Sequence, residues 1–216
     1  MNKKNVTPSL LNVEEGKRWE MAQTLIDQGI KWIHYDVMDA KFVPNRAIEI
    51  KEIKTIKEKT THHFMDAHLM VENPLSYLDD YKDLVDITTI HFEAVDSKEL
   101  LNFLELKHHD YRIGLAIKPL TSVAEIRQFL PYVALVLVMS VEPGAGGQKF
   151  IPSALDKIKE LKNIRSFNQY QYLIQVDGGI NEITGPQCFK AGADACVAGT
   201  FLIKEPTKER INSIIK

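Results

Sequence analysis

Cysteine, charge of one sign and long apolar runs are all scarce in this sequence, and each shortage excludes a class of protein. The 216 residues contain two cysteines, Cys188 and Cys196, without the CxxC spacing of a zinc finger or a redox motif. We expect both to be reduced thiols in the core rather than a disulfide. The formal net charge is −2, which gives no electrostatic footprint for nucleic acid or an anionic membrane.

Long hydrophobic segments are also absent from the sequence. No apolar run approaches the roughly 20 residues that span a bilayer, so we expect no membrane partner. The first residues, MNKKNVTPSLL, are basic but have neither a long apolar core nor a cleavage site, which predicts no signal peptide and a cytoplasmic location. No Pro/Gly-rich linker interrupts the chain, which predicts one domain over residues 1–216.

The sequence alternates between strand and helix patterns. Strands are predicted at residues 5–9, 32–36, 64–69, 87–91, 112–117, 134–139, 173–177 and 195–198. Helix start signals between them are Asn12 with Glu15, Asn73–Pro74, Ser97, Ser122 with Glu125, and Pro152–Ser153. This alternation implies parallel strands joined by right-handed crossovers. Eight such units suit an α/β fold of the single (β/α)₈ TIM-barrel type, with an open doubly wound sheet as the alternative.

The positions of the polar residues favour the barrel over the open sheet. In a barrel, functional side chains gather at the C-terminal ends of many strands. Here such residues fall at or just past the ends of seven predicted strands: Ser9, His34, Asp36, His68, His91, Ser140, Asp177 and Thr200.

Four of these residues form a candidate metal site. His34 and Asp36 are two residues apart on one strand, so their side chains point to the same face. His68 ends the third predicted strand and Asp177 ends the seventh. Two imidazoles and two carboxylates that converge can bind Zn²⁺, Fe²⁺, Mn²⁺ or Co²⁺. One strand-end histidine is weak evidence for a ligand, but the four together are stronger.

The remaining histidines have more ordinary interpretations. His91 and Glu93 are also two residues apart, and they either support the site from outside its ligands or make a structural hydrogen bond. The other four lie in polar, lysine-rich segments and are interpreted as solvated: His62, His63, His108 and His109. Asp39 is expected to brace the loop after the second strand.

Glycine-rich loops follow the last three predicted strands. Such loops let backbone N–H groups approach an anion, and the loops after strands seven and eight are the usual phosphate site of these barrels. One glycine-rich loop alone is weak evidence, because a flexible turn explains it equally well. The phosphate candidates are Gly144, Gly146, Gly147, Gly178, Gly179, Gly199 and Thr200. The positive charges of Lys118 and Lys149 either assist phosphate binding or are simply solvated.

Several motifs together resemble the ribulose-phosphate 3-epimerase family. They are PSLLN, WIHYDVMDAKFVPN, DAHLMVENP, GLAIKP, MSVEPGAGGQKFIP and VDGGIN, in the family's order from Pro8 to about Leu202. The resemblance implies a ribulose-phosphate-binding (β/α)₈ barrel that interconverts D-ribulose 5-phosphate and D-xylulose 5-phosphate with one divalent metal ion. It also implies a homo-oligomer, because barrels of this family commonly associate.

The resemblance assigns roles residue by residue. His34, Asp36, His68 and Asp177 match the family's metal ligands, and Asp36 and Asp177 match its two acid–base residues. The substrate contacts that it implies are Ser9, His68, Gly144, Ala145, Gly146, Gly147, Asp177, Gly178, Gly179, Gly199 and Thr200. The pocket-lining methionines that it implies are Met38, Met70 and Met139.

A few positions depart from the family's pattern, and two other functions stay open. Ala40 and Lys41 stand where the family usually has Gly and His, Ala145 replaces a usual Phe, and Thr200 replaces a usual Ser. None of these changes removes a ligand or an acid–base group. The alternatives are an epimerase for another ketose phosphate, such as D-allulose 6-phosphate, and a sugar-phosphate sensor without catalysis.

Overall fold

The computed structural model describes residues 4–216 and centres on a parallel sheet that closes on itself. Its strands are β1 (Asn5–Thr7), β2 (Trp32–Asp39), β3 (Phe64–Met70), β4 (Ile87–His91), β5 (Ile113–Ile117), β6 (Leu135–Met139), β7 (Leu173–Asp177) and β8 (Ala195–Val197). From β2 to β8 each strand pairs in parallel with the next, and β1 pairs with β8. A parallel bridge between Ser9 and His34 joins the two remaining edges. The predicted eight strands and the TIM-barrel fold are therefore confirmed.

Helices surround the barrel and follow its strands. Within residues 4–216 they are α1 (Arg18–Asp27), α2 (Ile50–Lys59), α3 (Leu78–Tyr81), α4 (Ser97–Lys107), α5 (Val123–Ile126), α6 (Ala154–Asn168), α7 (Thr184–Ala191), α8 (Thr200–Ile203) and α9 (Lys208–Ile215). Short 3₁₀ turns lie at Pro74–Tyr77, Phe92–Ala94 and Arg127–Tyr132, and a two-residue strand, Arg46–Ala47, pairs antiparallel with the end of β2. None of these helices combines the length and apolar character needed to cross a membrane.

The helix start signals were only partly right. The Ser122–Glu125 capping box is confirmed, and Pro152–Ser153 directly precede α6. The Asn12–Glu15 box is wrong: α1 begins at Arg18, because the Asn12 side chain donates instead to Thr200 Oγ1 across the barrel mouth.

Two further predicted helix N-termini were wrong in their capping residue. The side chain of Asp96, not Ser97, caps α4 by accepting from two backbone N–H groups of its first turn. Asn73 makes no side-chain cap, and its backbone adopts a left-handed φ of 52° before the turn that Pro74 opens.

The alternation of side chains along β2 shows how the core is divided. Ile33, Tyr35 and Val37 pack outward in the large cluster between the barrel and the helices. Trp32 points inward and packs with residues from strands across the barrel, among them Leu135. Since side chains alternate along a strand, those of His34, Asp36 and Met38 share the inner face with Trp32.

Both cysteines lie in the outer part of this core. Cys188 on α7 and Cys196 on β8 are fully buried, and neither forms a disulfide. The prediction that both lie in the core is confirmed. Burial raises the pKa of the Cys196 thiol well above its usual value, which disfavours the reactive thiolate.

Candidate active site

The inward-facing polar side chains of β2, β3 and β7 meet inside the barrel mouth. One ligand atom from each of His34, Asp36, His68 and Asp177 lies within 4.8 Å of the others. Asp36 Oδ1 is central, at 3.3 Å from His34 Nε2 and 3.2 Å from His68 Nδ1. Asp177 Oδ2 lies 3.9 Å from the same nitrogen of His68. The barrel thus brings together residues of three strands that are far apart in the sequence.

A fifth buried residue, Asp66, orients His34, and the sequence analysis missed it. The Asp66 carboxylate lies 2.9 Å from His34 Nδ1, and both side chains are fully buried. The two residues are in register on β2 and β3. The signal was present, because Asp66 and His68 repeat the spacing of His34 and Asp36: an aspartate and a histidine two residues apart on an inward face.

Burial and neighbouring charge shift the pKa values of Asp36 and Asp177 in opposite directions. Burial raises the pKa of Asp36, but the charges and hydrogen bonds of His34 and His68 outweigh it and hold that pKa well below its usual range. Burial and the negative charge of Asp36 raise the pKa of Asp177 to about 7. The site therefore pairs a strongly ionised carboxylate with one that holds a proton more easily.

The pKa values of the two cluster histidines, His34 and His68, also shift in opposite directions. Burial lowers the pKa of His34, but the negative charges of Asp66 and Asp36 outweigh it and raise that pKa well above its usual value. Burial lowers the pKa of His68 to about 4 despite its contact with Asp36. The potential around His34 is therefore strongly negative and favours a bound cation.

The donor set fits a divalent metal ion. Nδ1–H of His34 donates to Asp66, and the buried Nε2 has no well-aligned hydrogen-bond partner among residues 4–216. It lies 3.3 Å from Asp36 Oδ1, so positive charge is favoured between these two atoms: a proton on Nε2, or a metal ion that replaces this proton. Two imidazole nitrogens and two carboxylates are ligands that Zn²⁺, Fe²⁺, Mn²⁺ and Co²⁺ accept.

Ser9 and the methionines surround the cluster. The Ser9 hydroxyl donates to the second oxygen of Asp36 at 2.5 Å. Met38 and Met70 are buried together beneath Val43 of the loop after β2. Met139 is buried opposite Asp177 in the register of β6 and β7.

The loops after β6, β7 and β8 enclose a small cavity beside the cluster. Its volume is about 70 Å³, and the lining includes Ser9, Asn12, Gly146, Gly147, Gly179, Gly199 and Thr200. Asn12 is a lining residue that the sequence analysis interpreted only as a helix cap. Three of the predicted substrate-binding residues in these loops are not in this lining: Gly144, Ala145 and Gly178. The cavity is of the size and backbone character that suit a small anion.

The glycines near this cavity are required for two different reasons. Gly179 has a φ of 62°, and a Cβ there would lie 2.6 Å from the backbone nitrogen of Phe150, so packing of the turn demands glycine. A Cβ on Gly199 would meet nothing closer than 3.6 Å. The missing side chain at Gly199 therefore leaves open space in the cavity instead of relieving a clash.

The loop after β2 covers the cluster and contacts the loop after β6. Asn45 donates its side-chain N–H to the carbonyl oxygen of Gly144 at 2.7 Å. The expectation for Asp39 is confirmed: one oxygen accepts from the backbone of Lys41 and Phe42, and the other accepts from the backbone of Glu72. Hydrogen bonds therefore hold the loop after β2 at Asp39, where it begins, and at Asn45, near its other end.

Comparison with known proteins agrees with this architecture. The model of the ribulose-phosphate 3 epimerase family matches residues 5–203. The ribulose-phosphate 3-epimerase of Treponema pallidum is 37% identical, over 90% of this chain and 89% of its own length. The enzymes of that name from Synechocystis sp. and Schizosaccharomyces pombe are 35% and 34% identical, over 93% and 98% of this chain and 88% and 94% of their own lengths. The chain belongs to the ribulose-phosphate 3-epimerase family.

The four histidines that were predicted to be solvated differ from one another in burial. His63 is buried, not solvated, and its Nε2 lies 2.7 Å from the hydroxyl of Tyr35, so that interpretation was wrong. His62 and His109 are exposed as expected, while His108 is half-buried and lies against the carbonyl of Leu104.

The two candidate lysines lie near the mouth but do not line the small cavity. The Lys118 ammonium lies 4.3 Å from the ring centre of Phe42 in the covering loop. Lys149 lines a wider groove next to the cavity, together with Thr200.

Proposed function

We propose that this member of the family is a metal-dependent epimerase that interconverts D-ribulose 5-phosphate and D-xylulose 5-phosphate by inversion at C3. The observation that carries the proposal is the pair of carboxylates, Asp36 and Asp177, brought by opposite strands into one buried cluster with two histidines. The names of the relatives and the cavity beside the cluster support the same reaction.

The four clustered residues would hold one divalent ion, Zn²⁺, Fe²⁺, Mn²⁺ or Co²⁺, as the cofactor. Nδ1 of His34 donates to Asp66, which leaves Nε2 available to the ion. A divalent ion bound there supplies positive charge that stabilises negative charge on the C2 oxygen of the ketose when the C3 proton leaves.

Inversion requires that a proton leaves one face of the C3 centre and that another arrives on the opposite face. Asp36 on β2 and Asp177 on β7 approach the site from different sides of the barrel. We assign one as the base and the other as the acid, with the roles exchanged in the reverse direction. The hydroxyl of Ser9 holds the Asp36 carboxylate in place.

The remaining site residues bind the substrate. We propose that the phosphate group occupies the small cavity, with contacts from Gly146, Gly147, Gly179, Gly199 and Thr200. Gly144, Ala145 and Gly178, in the same loops, would contact the substrate outside this cavity. Ser9, His68 and Asp177 contact the sugar end. The thioethers of Met38, Met70 and Met139 contribute apolar, polarisable walls that exclude water without donating protons.

Four further proposals concern the whole chain. We propose that residues 1–216 form one catalytic domain, that its partner is a small ketose phosphate, and that copies associate into a homo-oligomer. We also propose a cytoplasmic location. A sedimentation experiment that finds only monomers would contradict the association.

A coupled assay tests the reaction and the metal together. D-Ribulose 5-phosphate is supplied and D-xylulose 5-phosphate is followed, before and after treatment with EDTA and after addition of each of the four metal ions. We expect activity to fall with EDTA and to return with at least one ion. D-Allulose 6-phosphate serves as the comparison substrate. No turnover of the pentose phosphate with any ion, or faster turnover of the hexose phosphate, would contradict the proposal.

A further inference from the structure

His68 contacts a second buried pair that the proposed reaction does not use. Its Nε2 lies 2.8 Å from Nε2 of His91, and Nδ1 of His91 lies 3.1 Å from Oε2 of Glu93. Both imidazole side chains are 0% exposed, so water does not reach these nitrogens. The three side chains therefore form a continuous path of contacts from the cluster to the edge of the barrel mouth.

Glu93 decides which ring nitrogens carry protons along this path. Its Oε1 accepts from the backbone N–H of Lys118 at 2.7 Å and from the hydroxyl of Thr121 at 2.5 Å. Its Oε2 remains to face His91 Nδ1. An ionised carboxylate can only accept, so Nδ1 of His91 must be the donor.

The same reasoning assigns which nitrogen of His68 carries its proton. The two Nε2 atoms share one hydrogen bond, so one of them donates and the other accepts. Because Nδ1 of the fully buried His91 already donates to Glu93, the neutral His91 ring has its lone pair on Nε2. Nε2 of His91 is then an acceptor, and the 2.8 Å contact requires His68 Nε2–H to donate to it. Nδ1 of His68 is left with a lone pair, and this is the nitrogen that lies 3.2 Å from Asp36.

We propose that His91 and Glu93 are positioning residues, which fix the tautomer and the ring orientation of His68 so that its Nδ1 lone pair faces a divalent metal ion. The inference rests on the proposed metal site. It parallels the simpler arrangement at His34, where Asp66 contacts the ring directly. Histidine ligands in metal sites are generally oriented by such outer partners.

The far end of the path is held by the loop after β5. The ammonium of Lys157 on α6 donates to the carbonyl oxygens of Lys118, Pro119 and Thr121. This fixes the two groups that donate to Glu93 Oε1. The carboxylate is thereby held with its other oxygen toward His91, since rotation would break both bonds.

Glu93→Gln is the sharpest variant for this proposal. The single amide oxygen of glutamine is needed by Lys118 N–H and Thr121, so the NH₂ group faces His91 and donates to it. His91 must then carry its proton on Nε2, and His68 must carry its proton on Nδ1, where it blocks the metal. Glu125→Gln is the matched control, because Glu125 binds Ser122 near the same loop without contacting either ring.

Metal affinity is the first measurement. Zn²⁺ and Co²⁺ dissociation constants are determined by chelator competition on the full chain, without substrate. We expect about a 10–100-fold rise for Glu93→Gln and no change for Glu125→Gln. Values for Glu93→Gln within twofold of the wild type would overturn this inference alone. A wild-type chain that binds neither ion would overturn the metal site itself and this inference with it.

Nitrogen NMR of the wild-type chain tests the proton order independently of any variant. In the metal-free protein at neutral pH, ¹⁵N shifts of the imidazoles should show protonated Nε2 on His68 and protonated Nδ1 on His91. The opposite tautomers would overturn the inference even if Glu93→Gln failed to fold.

Discussion

The two sides of the barrel mouth are built by different means. On one side, β2, β3 and β7 supply charged side chains whose ligand atoms lie within 4.8 Å of one another. On the other side, the loops after β6, β7 and β8 supply mostly backbone around a cavity of about 70 Å³. The first region depends on the chemical type of each side chain, and the second depends on the absence of side chains.

This difference predicts opposite sensitivities to substitution. In the cluster, an isosteric change that removes one charge should abolish function while the fold is kept. In the cavity, a change that adds one methyl group should weaken binding while the chemistry is kept.

The largest effect is expected from Asp36→Asn and Asp177→Asn. Each variant should fold and lose at least ~10³-fold in kcat, because loss of an acid–base group typically costs 10²–10⁴-fold and weaker metal binding adds to it. The measurement is the steady-state rate with saturating metal and D-ribulose 5-phosphate. Asp96→Asn is the matched control, because asparagine caps a helix about as well as aspartate and α4 lies outside the cluster. Near-normal turnover of either cluster variant would contradict the assignment.

A smaller effect is expected from Gly147→Ala, compared with Gly29→Ala. Both glycines have left-handed φ values, 77° and 99°, and a Cβ on either meets nothing closer than 3.7 Å. Both variants should therefore lose a similar ~1–2 kcal/mol of unfolding free energy from backbone strain. Only Gly147→Ala places its methyl group in the cavity, so only that variant should raise KM, on the order of tenfold at little changed kcat. Equal KM values in the two variants would contradict the phosphate assignment.

The smallest effect concerns the pH dependence of stability on the cluster side. Burial raises the pKa of Glu93, but hydrogen bonds from His91, Thr121 and the backbone of Lys118 outweigh it and lower the pKa to about 2. A lowered folded-state pKa contributes stability above the ordinary value of about 4.5, and this contribution is lost as the pH falls from there toward 2.

We expect the unfolding free energy of the wild type minus that of Glu93→Gln to decrease as the pH is lowered from about 4.5 toward 2. The expected change is about 1 kcal/mol, reduced from the full linkage value because water screens a partly exposed carboxylate. Urea unfolding at several pH values measures it. A difference that stays constant from pH 6 to pH 2.5 would contradict the lowered pKa.

Much of the fold and of the cluster was predictable because it depends on local patterns. Alternating strand and helix signals gave the eight strands and the barrel, and residues two apart on a strand placed His34 and Asp36 on one face. The same rule, applied to Asp66 and His68, would have found Asp66. One exception is Asn12, which was predicted to cap a helix but instead donates a hydrogen bond to Thr200, a partner 188 residues away.

The sequence by itself determined which strands exist, which side chains alternate inward, and which residue types stand at the strand ends, because these depend on neighbours within a few positions. Only the tertiary structure decided that His63 is buried against Tyr35, that Asn12 lines the small cavity, and that His91 contacts His68. The physical reason is that these contacts join segments brought together by barrel closure. Their geometry is set by packing between strands, which no local pattern encodes.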